Sequence, residues 1–425
     1  MVIGLFISSV QGLGGLATGP PAAVDQAQAA ADQTQADQAQ KVVKSPAAGE
    51  EDDRPPRLSR ESAAGVLAAA PPGPSHVAAG MLGFVGGGGR GAWEEDIPRS
   101  LEPEFAWLAS CQLPSGAITL APGDNSIVPY FANYAAMALL RWDVDAARRH
   151  MDWYLSRLNT EDRWGLDGTV YDYQLVDGQE VSQGDYDSAD SYAATFLALV
   201  GQYLFATGDG QYLMDNLPAL RRVAGVPLAL QDPVDGLVWA KADHRYKFLM
   251  DNCEVQAGLT VWAQALRTLG LWEEAEGYAA AVDRIRGALA SDLWQENDGS
   301  YAWAMTARGP RRHRRRWYPD TVGQLYPVLF GVVDPASDDA GRLLQGVNSA
   351  FPGWPELRTP DRFPWAMVAY AAALVGDEAS AHRFVESASG AYQREGRPWP
   401  WYTLESVFYI LTVMELANQG ASAAR

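Results

Sequence analysis

Histidine, cysteine and basic residues are all scarce in this chain of 425 residues, and each shortage closes a class of function. Cys111 and Cys253 are the only cysteines, too few for a disulfide framework or a cysteine-based zinc site, so two buried free thiols are expected. The five histidines, His76, His150, His244, His313 and His382, are scattered with no two at i, i+4 spacing. That disfavours a transition-metal enzyme, and no metal or cofactor is expected. Lys and Arg total 33 against 52 Asp and Glu, a formal charge of -19, so the chain offers no net basic face and nucleic acid is excluded as a partner. The local exception is Arg311-Arg-His-Arg-Arg-Arg316, a basic loop suited either to a carboxylated or phosphorylated substrate or to a solvated, acid-paired surface. No apolar run reaches the roughly 18 residues needed to cross a bilayer, so no membrane span is expected. The short stretch Val2-Ile-Gly-Leu-Phe-Ile7 has no Lys or Arg before it and makes a poor secretory signal, so the expected location is cytoplasmic.

Aromatic and small apolar residues are plentiful: 15 Trp, 18 Tyr and 12 Phe within a chain that is 48% apolar. Residues 1–91 are Ala/Gln/Asp-rich, then Pro-rich, then Gly-rich, the composition of a disordered tail and linker. From 92 to 425 one local design repeats. An amphipathic helix is followed by an aromatic- and carboxylate-rich start that runs into a helix apolar on nearly every face. The six starts are Asn125-Ser-Ile-Val-Pro-Tyr-Phe, Asp185-Tyr-Asp-Ser-Ala-Asp-Ser-Tyr, Met250-Asp-Asn-Cys-Glu, Tyr318-Pro-Asp-Thr-Val-Gly-Gln, Asp361-Arg-Phe-Pro-Trp and Trp399-Pro-Trp-Tyr-Thr-Leu-Glu. A helix apolar all round must be covered all round, so alternation with one-sided helices implies two concentric layers. The expectation is an all-α fold: an (α/α)6 toroid of six helical hairpins, its polar starts gathered at one mouth beneath short β-hairpin loops. Inner helices are predicted over 127–141, 188–205, 254–269, 321–333, 365–375 and 404–417. The outer helix over 211–230 is expected to be interrupted by Pro218 and Pro227.

The architecture, with the Asp185 and Met250 strings, resembles the six-hairpin glycosidases, the superfamily that includes glucoamylases and trehalases. The resemblance covers about residues 93–417 and implies hydrolysis of an oligosaccharide by a pair of carboxyl groups, one protonating the leaving oxygen and one activating water, with inversion. It places the acid at the third inner helix and the base at the last, which here are Glu254 and Glu405. Asp187 and Asp190 form a reserve pair. Asp187 with Asp190, and Asp251 with Glu254, stand at i, i+3, which puts both on one helix face where repulsion raises one pKa. Acids in a first helical turn equally serve as caps for free N–H groups. Tyr130, Asn133, Tyr192, Trp239, Lys247, Asp251, Asn252, Asp320, Trp365, Trp399 and Trp401 are the candidate carbohydrate-binding groups, since sugar rings call for aromatic faces and a few hydrogen-bonding side chains. Three other readings stay open: a sugar epimerase working through histidine, a non-catalytic carbohydrate-binding toroid, and a terpene cyclase. The last lacks a clean Asp-Asp-x-x-Asp spacing. Oligomeric state is not legible.

Overall fold

The structure, a computed structural model, describes residues 97–312 and 316–423; the proposed tail and the centre of the basic loop lie outside the described residues. Within that range twelve α-helices alternate between two layers. The outer helices are α1 (Glu102–Ser110), α3 (Val144–Ser156), α5 (Gly210–Ala229), α7 (Trp272–Ala288), α9 (Asp338–Ala350) and α11 (Glu378–Ala388). The inner helices are α2 (Pro129–Leu139), α4 (Ala189–Thr207), α6 (Leu249–Thr268), α8 (Tyr326–Leu329), α10 (Ala366–Val375) and α12 (Thr403–Ala423). Each inner helix packs on the next, and α12 returns to α2, closing the ring.

The sequence contrast between layers has the expected physical result. Every residue of α2 is buried, as are Ala189–Leu204 of α4 and Ala366–Ala373 of α10, whereas α3, α9 and α11 bury one stripe each. Backbones approach most closely where glycine replaces a side chain. A Cβ on Gly258 would stand 2.2 Å from the Ala194 carbonyl oxygen, and one on Gly201 would stand 2.4 Å from Val261, so α4 and α6 lie nearly backbone to backbone.

Helix ends differ between the layers. Four of the six outer helices, α3, α5, α9 and α11, are capped locally: Asp143, Asp209, Ser337 and Asp377 accept from Ala146, Tyr212, Ala340 and Ser380 N–H groups at 3.1–3.3 Å. The residues preceding inner helices α2, α4, α6 and α10 (Val128, Ser188, Phe248 and Trp365) make no side-chain cap bond. Polar groups at the inner starts are thereby left for other work.

Two sequence-based expectations are corrected. Helix α5 runs unbroken through Pro218 and Pro227, because its buried face, including Leu213, Leu217, Leu220 and Val223, outweighs the roughly 3 kcal/mol that an interior proline costs. The fourth inner helix is not a regular helix over 321–333. Irregular turns over Trp317–Leu325 lead into the single turn of α8, since Pro319, Gly323 and Pro327 interrupt the segment.

Short antiparallel sheets decorate the connections before inner helices: β1 (Ser126–Ile127) with β2 (Tyr173–Val176) and β3 (Gln179–Ser182), β4 (Lys247–Phe248) with β7 (Ala304–Thr306) and β8 (Gly309–Arg311), and β5 (Trp294–Gln295) with β6 (Ser300–Tyr301). The ring is fastened where its ends meet. Buried Glu104 of α1 accepts from the Trp401 indole at 3.0 Å, Arg397 Nε at 2.9 Å and Gln393 Nε2 at 3.1 Å, and Thr403 N donates to Leu120 O at 2.9 Å.

Candidate active site

Five carboxyl groups gather at the starts of α4 and α6. Asp190 is fully buried on the first turn of α4; Asp251 and Glu254 are each 2% exposed on α6; Asp187 and Asp172 are half-buried at the approaches. They lie close because Gly201 and Gly258 let α4 and α6 touch. Burial is the first cause raising every one of their pKa values, and neighbouring carboxylates add to it: Asp251 acts on Glu254 and Asp190, and Asp187 acts on Asp251 and Asp172. Among the described residues no group of three His, Cys, Asp or Glu side chains is arranged to hold a metal ion.

Glu254 is the most elaborately held of the five. The Tyr130 phenol donates a very short hydrogen bond to its Oε1, and the Tyr134 phenol donates to the same oxygen at 3.2 Å. Both tyrosines are on α2, so the carboxyl is fixed across the ring from a neighbouring inner helix. Burial first, then the Asp251 charge, pushes Glu254 up to about 8 against the pull of the two phenols. At neutral pH it carries its proton, the state that a general acid requires.

Glu405 sits on the first turn of α12 and does something different. Its Oε1 accepts from Trp365 N at 3.2 Å and its Oε2 from Ala366 N at 2.7 Å, so it caps α10 from the adjacent helix. Burial pushes it up to about 8; the two amides oppose that, and the Asp361 charge adds to it. Trp365, held by this cap, has a left-handed backbone (φ 59°, ψ 53°), which is rare for a bulky residue. Its indole N–H is buried and without a partner. Asp361, half-buried on the loop before α10, also raises Tyr318 and Tyr402, while Tyr318 in turn feels Asp251, Asp187 and Glu254. Tyr318, Tyr326 and Tyr402 therefore span from the α6 acids to the Asp361 and Glu405 side.

The remaining candidates divide by what they touch. Tyr192 donates to Asp172 Oδ1 at 3.0 Å and belongs to the acid cluster. Trp399 is 40% exposed, its ring against Phe363 (5.7 Å) and Tyr402 (6.2 Å), an open face beside the last inner start. Asn133 donates to Tyr192 O (3.1 Å) and Thr195 Oγ1 (3.0 Å) and meets His150 at 3.0 Å, a lock between inner and outer layers. Asn252 holds Val238 N, Val238 O and Phe248 O. Lys247 bridges Asp232 and Asp235 at 2.5 Å each, with its ammonium 5.2 Å from the centroid of Trp239. Asp320 is paired with Arg316 at 3.1 Å, and Trp401 is spent on ring closure. In the basic loop Arg312 also faces an acid, Asp298, at 3.8 Å.

Sequence reasoning passed over Asp172, Asp361, Ser188 and Tyr318. Ser188, Tyr318 and Asp361 stand in three of the six inner starts, so their location was the signal, whereas Asp172, just before β2, lies outside those strings. His244 was likewise not placed on an inner start, yet it lies beside Asp187 with Nε2 buried and unpartnered.

Fold and mouth together define an (α/α)6 toroid, a fold that the chain shares with solved glycosidases. No protein-family model and no curated protein matches the chain. Among solved structures it is similar to a wild-type glycosidase at TM-score 0.55 and 16% identity, over 74% of this chain and 95% of that one. It is similar to a Klebsiella oxytoca rhamnosidase with rhamnose bound at TM-score 0.51 and 15% identity, over 76% and 65% of the two chains. A bacterial glucoamylase complexed with acarbose matches at TM-score 0.53 and 13% identity, over 74% and 54%.

Proposed function

We propose that this chain is a glycoside hydrolase that cleaves an oligosaccharide by general acid and base catalysis, with Glu254 as the acid. The observation that carries this reading is the environment of Glu254: a buried, neutral carboxyl pinned through Oε1 by Tyr130 and Tyr134, leaving Oε2 to protonate a glycosidic oxygen. Glu405 is proposed as the base that activates water, oriented by the Trp365 and Ala366 amides; because burial pushes it up to about 8 despite those amides, as it does Glu254, its ionised form builds up only as pH rises towards 8, and the proposed pair works in a narrow window around that pH. Inversion is the proposed outcome, as the resemblance implies. Kinship of fold supports the reading: one similar glycosidase has been solved with a tyrosine replaced by phenylalanine, with a glutamate replaced by alanine, and with another glutamate replaced by alanine in complex with glucose. Those residue types are present here as Tyr130 and Glu254, which are hydrogen-bonded to each other, and as Glu405 on the last inner helix. Arg312 and Arg316 are paired with acids, and the mouth is lined by carboxyls, which favours a neutral sugar over a uronic acid.

Reducing-end release from a panel of neutral and uronic-acid oligosaccharides tests this, comparing wild type with Glu254→Gln and following the first-formed anomer by NMR. Loss of release in the variant, with inversion in the wild type, is expected. Release that survives Glu254→Gln refutes the assignment of the acid.

A sugar epimerase is the second reading, favoured by His244. Its imidazole is held neutral, chiefly by burial, stacks on Tyr246 at 4.9 Å and keeps an unpartnered nitrogen next to Asp187. Solvent deuterium entering a free sugar at carbon 2, and lost in His244→Ala, would establish it.

A further inference from the structure

Ser188 immediately precedes α4, the place where a serine usually caps the helix, yet its hydroxyl makes no cap bond. It lies 2.6 Å from Asp190 Oδ1 and 3.2 Å from Asp251 Oδ2 instead. A hydroxyl has one hydrogen to donate. Were both carboxyls ionised, only one could receive it, and the other would set lone pair against lone pair in a site where neither acid is more than 2% exposed. One proton on a carboxyl resolves the conflict, because that carboxyl then donates to Ser188 Oγ while Ser188 donates onward.

We propose that Asp190, Ser188 and Asp251 hold a single proton between them, carried on Asp190, and that this relay keeps Asp251 ionised beside Glu254. Asp190 is the side that holds the proton because it is fully buried and its Oδ2 has no partner, so ionisation would strand charge on a bare oxygen. Asp251 is the side that stays charged because it receives the Ser188 hydrogen. Among the described residues no Lys or Arg forms an ion pair with either acid. Among the described residues the groups that face them are acids or neutral. Asp187 stands at the approach to α4, and Glu254 and the Cys253 thiol lie on α6. The Tyr130 and Tyr134 phenols approach Glu254 from α2, Tyr318 from the segment leading into α8, and Tyr326 from the start of α8 itself. Lys241 and His244 act one step away, on Asp187. The close approach of α4 and α6 at Gly201 and Gly258 leaves the bridge little room to open.

The first half of this proposal stands on geometry alone; the second rests on Glu254 as the acid. Ser188 and Asp190 are then positioning residues. Cutting the bridge lets Asp251 take its own proton, removes the charge beside Glu254, and lets Glu254 ionise at lower pH.

Two measurements test it. Carbon-13 NMR of labelled aspartate carboxyls in the full chain should show a protonated carboxyl at pH 7 that disappears in Asp190→Asn. Its absence overturns the shared proton whether or not the protein is a hydrolase, and its presence upholds the shared proton even if no glycoside is turned over. For the relay, the alkaline limb of kcat/KM should fall by about one pH unit in Ser188→Ala. The limb should return in Ser188→Thr and stay near wild type in Asp190→Asn, whose amide donates to Ser188 as the protonated acid does. A Ser188→Ala enzyme slowed equally at every pH, with the limb unmoved, overturns the relay.

Discussion

Replacing Tyr130 by Phe removes one oxygen from a side chain that is 3% exposed and leaves the ring packing on Phe131 and Tyr134 in place. What is lost is the hydrogen bond to Glu254 Oε1. A bond to an ionised acceptor contributes about 1.5–3 kcal/mol and one to a neutral acceptor about 0.5–1.5 kcal/mol, so the ionised form loses roughly 1–1.5 kcal/mol more than the neutral form. That difference is about one pH unit. The Tyr134 phenol, at 3.2 Å, retains part of the pull and keeps the shift from being larger. Glu254, already pushed up to about 8 by burial and Asp251, should titrate near 9 in Tyr130→Phe. The assay is the pH dependence of kcat/KM on whichever oligosaccharide the wild type cleaves. The alkaline limb should move upward, opposite to the movement expected for Ser188→Ala, while activity at pH 6 falls because the carboxyl is less well fixed. An alkaline limb that stays put in both variants would refute the claim that Glu254 is the group whose proton limits the reaction.

Four further outcomes follow from the same geometry. Glu254→Gln should lower kcat about 10²–10⁴-fold, the share that a positioned proton donor contributes, and should also raise thermal stability at pH 8, where the wild type buries a carboxyl against its own ionisation; calorimetry at pH 5 and pH 8 checks the second part. Because Glu254, Glu405 and Asp172 each sit near 8 in the folded state, well above their unfolded values, the stability they contribute is complete below about pH 4 and is lost as pH rises towards 8, so urea midpoints should fall from pH 5 to pH 8. Glu104→Ala leaves Arg397 and the Trp401 indole without their acceptor at the ring seam and should cost about 3–5 kcal/mol in denaturant unfolding, a loss that would be absent if the seam carried no energy. Trp399→Ala should raise KM about 3- to 10-fold with kcat held, the effect of losing one stacking face; an unchanged KM would remove Trp399 from the sugar path.

The ring was legible because its causes are local. Ala-rich segments such as Pro129–Leu139 have no polar face, so only an inner layer can hold them, and the alternation with Val144–Ser156 repeats that demand around the chain. Prolines misled in α5, where a long buried stripe overrides them, and glycine with proline went under-weighted at Trp317–Leu325. Within the site the division is sharper. Asp251 and Glu254 share a helix face because i, i+3 spacing requires it, and that was readable. Trp401 and Asn133 carry the same side-chain chemistry as sugar-binding residues, yet one closes the ring on Glu104 and the other locks α2 to its neighbours. Nothing in their local strings separates those roles.

By itself the sequence determined the helix count, the two layers and the mouth at which acids and aromatics gather. These depend on periodicity and composition, which act within a few residues. Only the tertiary structure decided that Tyr130 and Tyr134 fasten Glu254, that Glu405 caps the helix of Trp365, and that Ser188 joins Asp190 to Asp251. Those partners are separated by 124, 40 and 63 residues, and what brings them together is the packing of inner helices, with α4 and α6 drawn closest at two glycines. The direction of each pKa follows from the same packing, because burial and neighbouring charge are properties of the assembled ring and not of any segment of it.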